Sequence, residues 1–208
     1  MAALARAEEV LVPFTGGMPR DRVPVTTKFR STWLSSSLKA LRERNHFERY
    51  LSCLPPEHRD TVSGLVVGQW LPVEVAVAHY DACDRLELSE EEMVAIGAEV
   101  GKRAQGAVLS VGVNLAKGAG VTPWTIITRY PAIWDRTWVG GGVSIIKSGP
   151  KDARLEVAGW RCAHSKYCRV AFRGVLQGLA ALFSTNAFVK DAPRLCTKLT
   201  LGYVMQWA

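Results

Sequence analysis

Residues 153–207 read ARLEVAGWRCAHSKYCRVAFRGVLQGLAALFSTNAFVKDAPRLCTKLTLGYVMQW and carry the clearest pattern in the chain. In their last segment, large apolar residues alternate with smaller or polar ones. The apolar set is Leu199, Leu201, Tyr203, Met205 and Trp207. A period of two is typical of a strand that buries one face. The segment therefore predicts a strand with its apolar side on the core.

A helical period precedes this strand, over residues 165–184. At about 100° per residue, one arc collects Lys166, Arg169, Arg173 and Gln177, and the opposite arc collects Cys168, Phe172, Val175, Leu179 and Leu182. A helix of this kind places its apolar side on a sheet. Upstream, 143–147 and 154–160 read as two strands joined by a turn. The C-terminal part is therefore predicted to have the order ββαββ.

The residues before this unit predict helices. Apolar stripes, prolines at helix starts and a capping box of Ser89 and Glu92 mark them. The capping box begins a long helix that we expect to reach Lys117. Gly97 and Gly101 lie on the inner side of that helix, where each costs about 1 kcal/mol relative to alanine. That cost indicates another backbone passing close by. The fold class is α+β, with a helical N-terminal part followed by an antiparallel ββαββ sheet carrying one packed helix.

Length and composition fit a globular chain. It has 208 residues, of which 48% are hydrophobic and 22% charged. Residues 1–28 are rich in proline and glycine and read as a flexible N-terminal arm. Val10, Leu11, Val12 and Phe14 in this arm are suited to packing as a short edge strand. Residues 29–208 are expected to form a single α+β domain that binds a ligand or a partner.

Charge and cysteine usage narrow the class of protein. The net charge of +7 comes from scattered basic residues, which argues against nucleic-acid binding. Five cysteines without a C-x-x-C pair are typical of reduced thiols. The sequence has no signal-peptide pattern and no apolar run of about 20 residues, so we expect a cytoplasmic protein without a membrane span.

Several weak motifs together resemble a known structural group. They are the glycine-bearing helix IGAEVG at 96–101, the strand at 154–160, Tyr167-Cys168 opening a helix with Gly174 and Gly178, and Cys196 between two terminal strands. The chain resembles, over about 30–208, the 4-vinyl-reductase-type domains, which group with TRAPP transport subunits and haem nitric-oxide-binding domains. It is also similar to an uncharacterised paralogous family of myxobacteria. The resemblance implies a ligand-sensing or partner-binding module, often dimeric, with an apolar pocket between helices and sheet.

The resemblance has departures that bear on cofactors. Some relatives hold a structural zinc through C-terminal cysteines, but their third cysteine has no counterpart at Tyr203 or Val204. The tyrosine-serine-arginine clamp for haem propionates is also missing. We therefore expect no cofactor. If a metal is bound, the only cluster of soft ligands is Cys162, His164, Cys168 and Cys196.

Aromatic residues give the candidate site. Trp124, Trp134, Trp138 and Trp160, with Tyr130, gather around the predicted junction of helices and sheet. Large aromatics there either fill a core or line a pocket for a flat ligand, and the resemblance favours the pocket. Between them, the glycines at 140–142 fit a bend better than a phosphate cradle, because a strand follows them.

No residue is assigned a catalytic role. His79 has Cys83 four residues away and two aspartates nearby, but a lone histidine on an amphipathic helix is usually structural. The sequence thus predicts a non-enzymatic module that binds a small apolar or aromatic ligand, a candidate sensor and homodimer. The alternative is a protein–protein interaction or scaffold module with a filled core.

Overall fold

Helices dominate the N-terminal half of the chain. A computed structural model describes residues 8–108, 123–181, 184 and 186–208. The first strands are β1 (Glu9–Val12), β2 (Lys28–Arg30) and β3 (Trp70–Pro72). The helices in this half are α1 (Ser31–Glu43), α2 (Phe47–Cys53), α3 (Pro56–Ser63), α4 (Val73–Asp84) and α5 (Glu90–Val108). None of the described helices combines the length and apolarity that a membrane crossing requires.

The C-terminal half holds most of the sheet. Its elements are α6 (Pro123–Ile127), α7 (Tyr130–Thr137), β4 (Trp138–Val139), β5 (Gly142–Gly149), β6 (Asp152–Ala158), α8 (Lys166–Ala180), β7 (Ala187–Asp191) and β8 (Leu201–Trp207). Five strands pair antiparallel in the order β1-β5-β6-β8-β7, and a small antiparallel sheet has the order β3-β2-β4. The predicted α+β class with its ββαββ unit is confirmed.

The alternation in β8 and the helical period in α8 give the buried faces that the sequence predicted. Leu201, Tyr203, Met205 and Trp207 are buried in β8. Leu199 is 41% exposed and precedes the strand, where its carbonyl accepts a hydrogen bond from the Trp160 amide. The apolar arc of α8 is buried as predicted, apart from Leu182, which lies outside the described residues.

Helices α5 and α8 touch through their backbones. A methyl group at Gly97 would overlap the carbonyl of Ala171, and one at Gly174 would overlap the carbonyl of Val94. The close approach inferred from the glycines of α5 is thereby confirmed. The predicted extension of α5 to Lys117 lies outside the described residues beyond Val108.

The N-terminal segment lies along the large sheet. Strand β1 pairs with β5, and the Ser144 hydroxyl donates to the Val12 carbonyl at 3.0 Å. Phe14 and Val23 form a small second core with Ala158. The edge strand predicted for this segment is confirmed, whereas the division into an arm at 1–28 and a domain at 29–208 stays a prediction.

Candidate functional site

A cavity rich in aromatic side chains lies where α1, α4, α5 and α8 meet the small sheet and α7. We call it the aromatic cavity. Ser37, Cys168 and several aliphatic residues complete its wall. Two of its aromatic residues are half-buried and the other five are buried, so the cavity reaches the surface at one side. The seven aromatic residues are Trp33, Tyr80, Tyr130, Trp138, Trp160, Tyr167 and Phe172.

Three tryptophans hold one side of the aromatic cavity in place. Trp134, Trp138 and Trp160 contact one another with ring centroids 5.4 Å apart in each pair. The Trp134 indole donates to the carbonyl of Gly140 at 3.1 Å. Gly140 and Gly141 have φ angles of 80° and 66°, which a side chain rarely adopts. The glycine bend thus anchors the indoles where helix α7 passes into the sheet.

The structure brings together four of the five predicted pocket residues. Tyr130, Trp138 and Trp160 line the aromatic cavity, and Trp134 packs behind them. Trp124 lies elsewhere, because its ring packs on Trp207 at 4.9 Å and its indole donates to the Pro150 carbonyl at 2.9 Å. That these residues bind a ligand stays a prediction.

The sequence did not single out the opposite side of the cavity as a site. Trp33 and Ser37 come from α1, Tyr80 comes from α4, and Tyr167 opens α8. In the sequence, Trp33 is part of an apolar helical stripe, and Tyr167 is part of a motif shared with the family that the chain resembles. Neither pattern indicates a binding site. Their meeting depends on how four helices pack, which a local pattern does not encode.

The cavity is small. Its volume is about 30 Å³, whereas the empty space around it, open solvent included, is about 480 Å³. It has room for one or two water molecules, whereas an engineered cavity that binds benzene measures about 150 Å³. A ligand larger than a few atoms therefore extends into the mouth or moves side chains apart.

Two buried donors among the residues around the cavity lack an acceptor. Within the described part of the chain, the Trp160 indole nitrogen and the Tyr167 hydroxyl form no hydrogen bond. Burial raises the pKa of Tyr167, and the Ser37 hydroxyl and the Cys83 thiol lie near its hydroxyl, although no hydrogen bond of ordinary geometry joins them to it. Buried donors normally have partners, and because both atoms are closed off from water, each missing hydrogen bond is a cost to the fold.

His79 lies behind the cavity residue Ser37, in a chain of hydrogen bonds. Its Nε2 is 3.0 Å from the Ser37 hydroxyl, and its Nδ1 is 3.0 Å from the Tyr50 hydroxyl. Complete burial lowers the pKa of His79 to about 3, so the imidazole is neutral at physiological pH. The Cys83 sulfur, 3.8 Å from Nε2, makes at most a weak contact. The ring is thus held structurally and is poorly suited to accept a catalytic proton.

Of the four residues named for a possible metal site, two are hydrogen-bonded elsewhere and the other two are buried thiols. His164 Nε2 is 2.7 Å from an Asp81 carboxylate oxygen, and its Nδ1 is 2.8 Å from the Arg161 carbonyl. The Cys196 thiol donates to the Ala192 carbonyl at 3.5 Å. Burial raises the pKa of the Cys162 and Cys168 thiols, which disfavours the thiolate that a metal needs. Among the described residues, no group of three or more His, Cys, Asp or Glu could hold a metal ion.

The fold has counterparts among solved structures of H-NOX domains. No protein-family model matches the chain, and no curated protein matches it. An oxygen-binding H-NOX domain related to soluble guanylate cyclases superposes with a TM-score of 0.56 at 12% identity, covering 86% of this chain and 94% of that one. An unliganded Fe(II) H-NOX variant from K. algicida gives a TM-score of 0.59 at 6% identity, covering 86% and 96%.

Identities this low show the fold alone. They confirm the haem nitric-oxide-binding part of the resemblance at the level of architecture. They give no support to its 4-vinyl-reductase and transport-subunit parts. Whether this chain can hold haem, as the names of its structural neighbours suggest, has to be judged from its own residues.

The space between the helices does not fit haem. Pockets for drug-sized ligands measure about 300–1,000 Å³, far more than the 30 Å³ enclosed here. Backbone contact between α5 and α8 at Gly97 and Gly174 closes the gap between those helices. The indoles of Trp138 and Trp160 occupy the adjoining volume.

The donor set does not fit haem either. The chain has four histidines, and neither nitrogen of the cavity-side one, His79, is free for iron. His46 and His164 face Glu92 and Asp81, and His58 lies on α3, which contributes no residue to the cavity. Burial raises the pKa of Cys168 and Tyr167, which disfavours the anionic forms that bind haem iron. We therefore derive no chemistry through haem.

Proposed function

We propose that this chain is a haem-independent, non-enzymatic module that binds a small apolar or aromatic ligand in the aromatic cavity. One observation carries the proposal. Seven aromatic side chains from helices and sheet converge, together with Ser37, on a cavity that reaches the surface. Ligand pockets combine apolar walls with a few polar groups in this way.

The aromatic wall suits a flat ligand. Trp160 and Phe172 meet edge to face with centroids 5.1 Å apart, and Tyr80 lies 6.4 Å from Trp160 in the same relation. Such rings offer both faces and edges to an incoming aromatic ring. A role as a sensor follows if ligand entry moves α1, because this helix carries the half-buried Trp33 of the cavity.

Filling the cavity tests this proposal directly. The probe is α-methylstyrene, an aromatic hydrocarbon, followed by saturation-transfer NMR and by the rise in melting temperature with concentration. Val175→Phe adds a ring to the aromatic cavity, and we expect it to weaken probe binding by at least about ten-fold. Leu179→Phe is the matched control, because Leu179 lies one turn along the same helix and lines a separate, smaller cavity. It should leave probe binding unchanged.

Native mass spectrometry of the purified protein complements this test. Excess mass that denaturation releases as an organic compound would identify a natural ligand, and the intact mass would test the expected homodimer. The enclosed volume of about 30 Å³ favours the alternative, an interaction or scaffold module with a filled core. A protein that binds no probe and carries no excess mass would establish that alternative.

A further inference from the structure

Five exposed apolar side chains lie together around the small sheet. We call this surface the valine face, and it consists of Val25, Val66, Val67, Trp70 and Val139. Val25 joins it because the carbonyl of its neighbour Pro24 accepts a hydrogen bond from the Gly141 amide, just after β4, at 2.6 Å. Only three other large apolar residues among the described ones are exposed, and they lie in other parts of the fold. Single exposed apolar residues are normal, but a group of them marks an interaction site.

Strand β2 forms the middle of the valine face. Its Lys28 and Arg30 point outward, because Phe29 between them is buried in the core. Lys28 lies opposite Val139 on β4, and Arg30 lies opposite Trp70 on β3. The Arg30 guanidinium is 4.5 Å from the centre of the Trp70 ring, which is a cation–π contact. The face is therefore an apolar surface with two cations at its centre.

No carboxylate neutralises these two cations. Within the described part of the chain, neither Lys28 nor Arg30 forms a salt bridge. The segments that build the face, 23–30, 64–72 and 138–142, contain no aspartate or glutamate. The face is therefore complementary to a negatively charged partner. It is unsuited to a symmetric contact with a second copy, because two such faces would bring like charges together.

Two consecutive valines form the tip of the loop before β3. Val67 and Gly68 belong to a turn, and the φ angle of 86° at Gly68 is one that other residues rarely adopt. Val66 is 55% exposed and Val67 is 62% exposed, although turns are normally built from polar residues. Consecutive side chains outside a helix point in different directions. A rigid partner surface would therefore contact one valine better than the other, whereas the fluid acyl chains of a bilayer can surround both.

The backbone of this tip is already hydrogen-bonded to the protein. The Ser31 hydroxyl donates to the Val66 carbonyl at 2.7 Å and accepts from the Gln69 amide at 3.0 Å. Arg30 donates to the Gly68 carbonyl at 2.7 Å, and the Ser31 amide donates to the Gln69 carbonyl at 2.9 Å. Backbone groups without a partner oppose entry into lipid, because no water is present there to bond them. Three carbonyls of the tip avoid that cost.

We propose that the valine face is a docking surface for an anionic lipid bilayer. The two valines of the tip enter the boundary between head groups and acyl chains, while Lys28 and Arg30 contact lipid phosphates. Trp70 suits the same boundary, where tryptophan is enriched in membrane proteins. No residue of the valine face lines the aromatic cavity, so this inference does not depend on the proposed function.

Vesicle flotation with the full-length protein measures this binding. The probes are vesicles of phosphatidylcholine alone and vesicles in which phosphatidylglycerol replaces part of it. We expect the mixed vesicles to bind at least about ten-fold more tightly, because each cation near an anionic membrane contributes about five-fold. The difference should disappear in about 1 M salt, where charges are screened within about 3 Å.

The apolar contribution is tested with two double variants. Val66→Ser combined with Val67→Ser should weaken binding to the mixed vesicles at least about ten-fold, because the tip then has no apolar side chains to bury. Val10→Ser combined with Phe188→Ser is the matched control. Both of its residues are 59% exposed, but they lie on β1 and β7. This control should bind as the unaltered protein does, and melting temperatures check that both variants are folded.

The charge contribution needs a control of its own, because the net charge of +7 by itself attracts anionic vesicles. Lys28→Gln should weaken binding to the mixed vesicles about five-fold. Lys190→Gln removes one charge from an exposed position on β7, and it should leave binding unchanged. Equal losses in the two variants would show that net charge alone attracts the vesicles and would overturn the inference.

The remaining outcomes are equally decisive. Equal binding by the two double variants would overturn the inference, as would failure of the unaltered protein to bind the mixed vesicles. If it instead bound a soluble peptide of alternating glutamate and leucine, and the tip variant did not, the partner would be an acidic protein and not a bilayer. None of these results bears on the aromatic cavity, whose ligand is tested by the hydrocarbon probe. Losses confined to the tip variant and Lys28→Gln would establish the inference.

Discussion

At the scale of single residues, burial of His79 makes the stability of the fold depend on pH. Its pKa is lowered by burial from 6.5 to about 3, so the unfolded chain binds a proton over a range in which the folded one does not. Stability present at neutral pH is therefore lost as the pH falls below about 6.5. From this group we expect a loss of about 2 kcal/mol between pH 7 and pH 5, measured by urea unfolding.

Replacement of the histidines isolates this effect. His79→Gln should lower stability at pH 7, because Ser37 or Tyr50 loses a partner, but most of the loss on acidification should vanish. His164 supplies a control of opposite sign. Burial opposes its charge, but the hydrogen bond that it donates to the Asp81 carboxylate prevails and raises its pKa, so its contribution is present at acid pH and lost as the pH rises. His164→Gln should therefore destabilise more at pH 5 than at pH 8. If the His79→Gln variant lost as much stability on acidification as the unaltered protein, His79 would not be the source of the pH dependence.

At the scale of elements, the contact between α5 and α8 is possible because glycines, which have no side chain, lie where the two helices touch. Gly97→Ala gains about 1 kcal/mol in helix propensity, but its methyl group would overlap the Ala171 carbonyl. Because backbone cannot move aside cheaply, we expect a net loss above about 2 kcal/mol in free energy of unfolding. Gly178→Ala is the matched change on α8, where the new methyl would meet the Ala98 carbonyl at an ordinary 3.4 Å. It should be neutral or stabilising by up to about 1 kcal/mol, and equal effects of the two changes would contradict this account.

At the scale of the whole molecule, Arg20 ties the N-terminal segment to the far end of the chain. Its guanidinium donates to the Leu195 carbonyl and to the Thr200 hydroxyl, the latter at 2.7 Å. Arg20→Ala should cost about 1.5–3 kcal/mol, as loss of charged hydrogen bonds does, and should speed amide exchange in β1. Arg22→Ala, two residues on and exposed, should change stability by less than about 0.5 kcal/mol. Unaltered exchange in Arg20→Ala would show that this tie does not hold the segment.

The sequence alone determined the ββαββ unit and the buried faces of its strand β8 and helix α8, but no pattern in it predicted the small sheet of β2, β3 and β4. The period of two in β8, the helical period in α8, the cap at Ser89 and the glycine bend at 140–142 each depend on neighbours a few residues apart. The backbone contact at Gly97 was also inferable, because a glycine inside a helix is costly unless something approaches it. Local stereochemistry fixes these features wherever the segment sits.

Only the tertiary structure decided the site. Trp124 and Trp134 lie ten residues apart and carry the same signal, yet Trp124 packs on Trp207 and Trp134 packs behind the aromatic cavity. Ser37 and Tyr50 hydrogen-bond to His79 although they lie 42 and 29 residues from it in the sequence. No local periodicity predicts contacts at such separations. The physical reason is that a periodic pattern states which face is buried but not against what. The partner is set by how helices and sheet pack. At Gly97 this packing is so close that even one added methyl group would not fit.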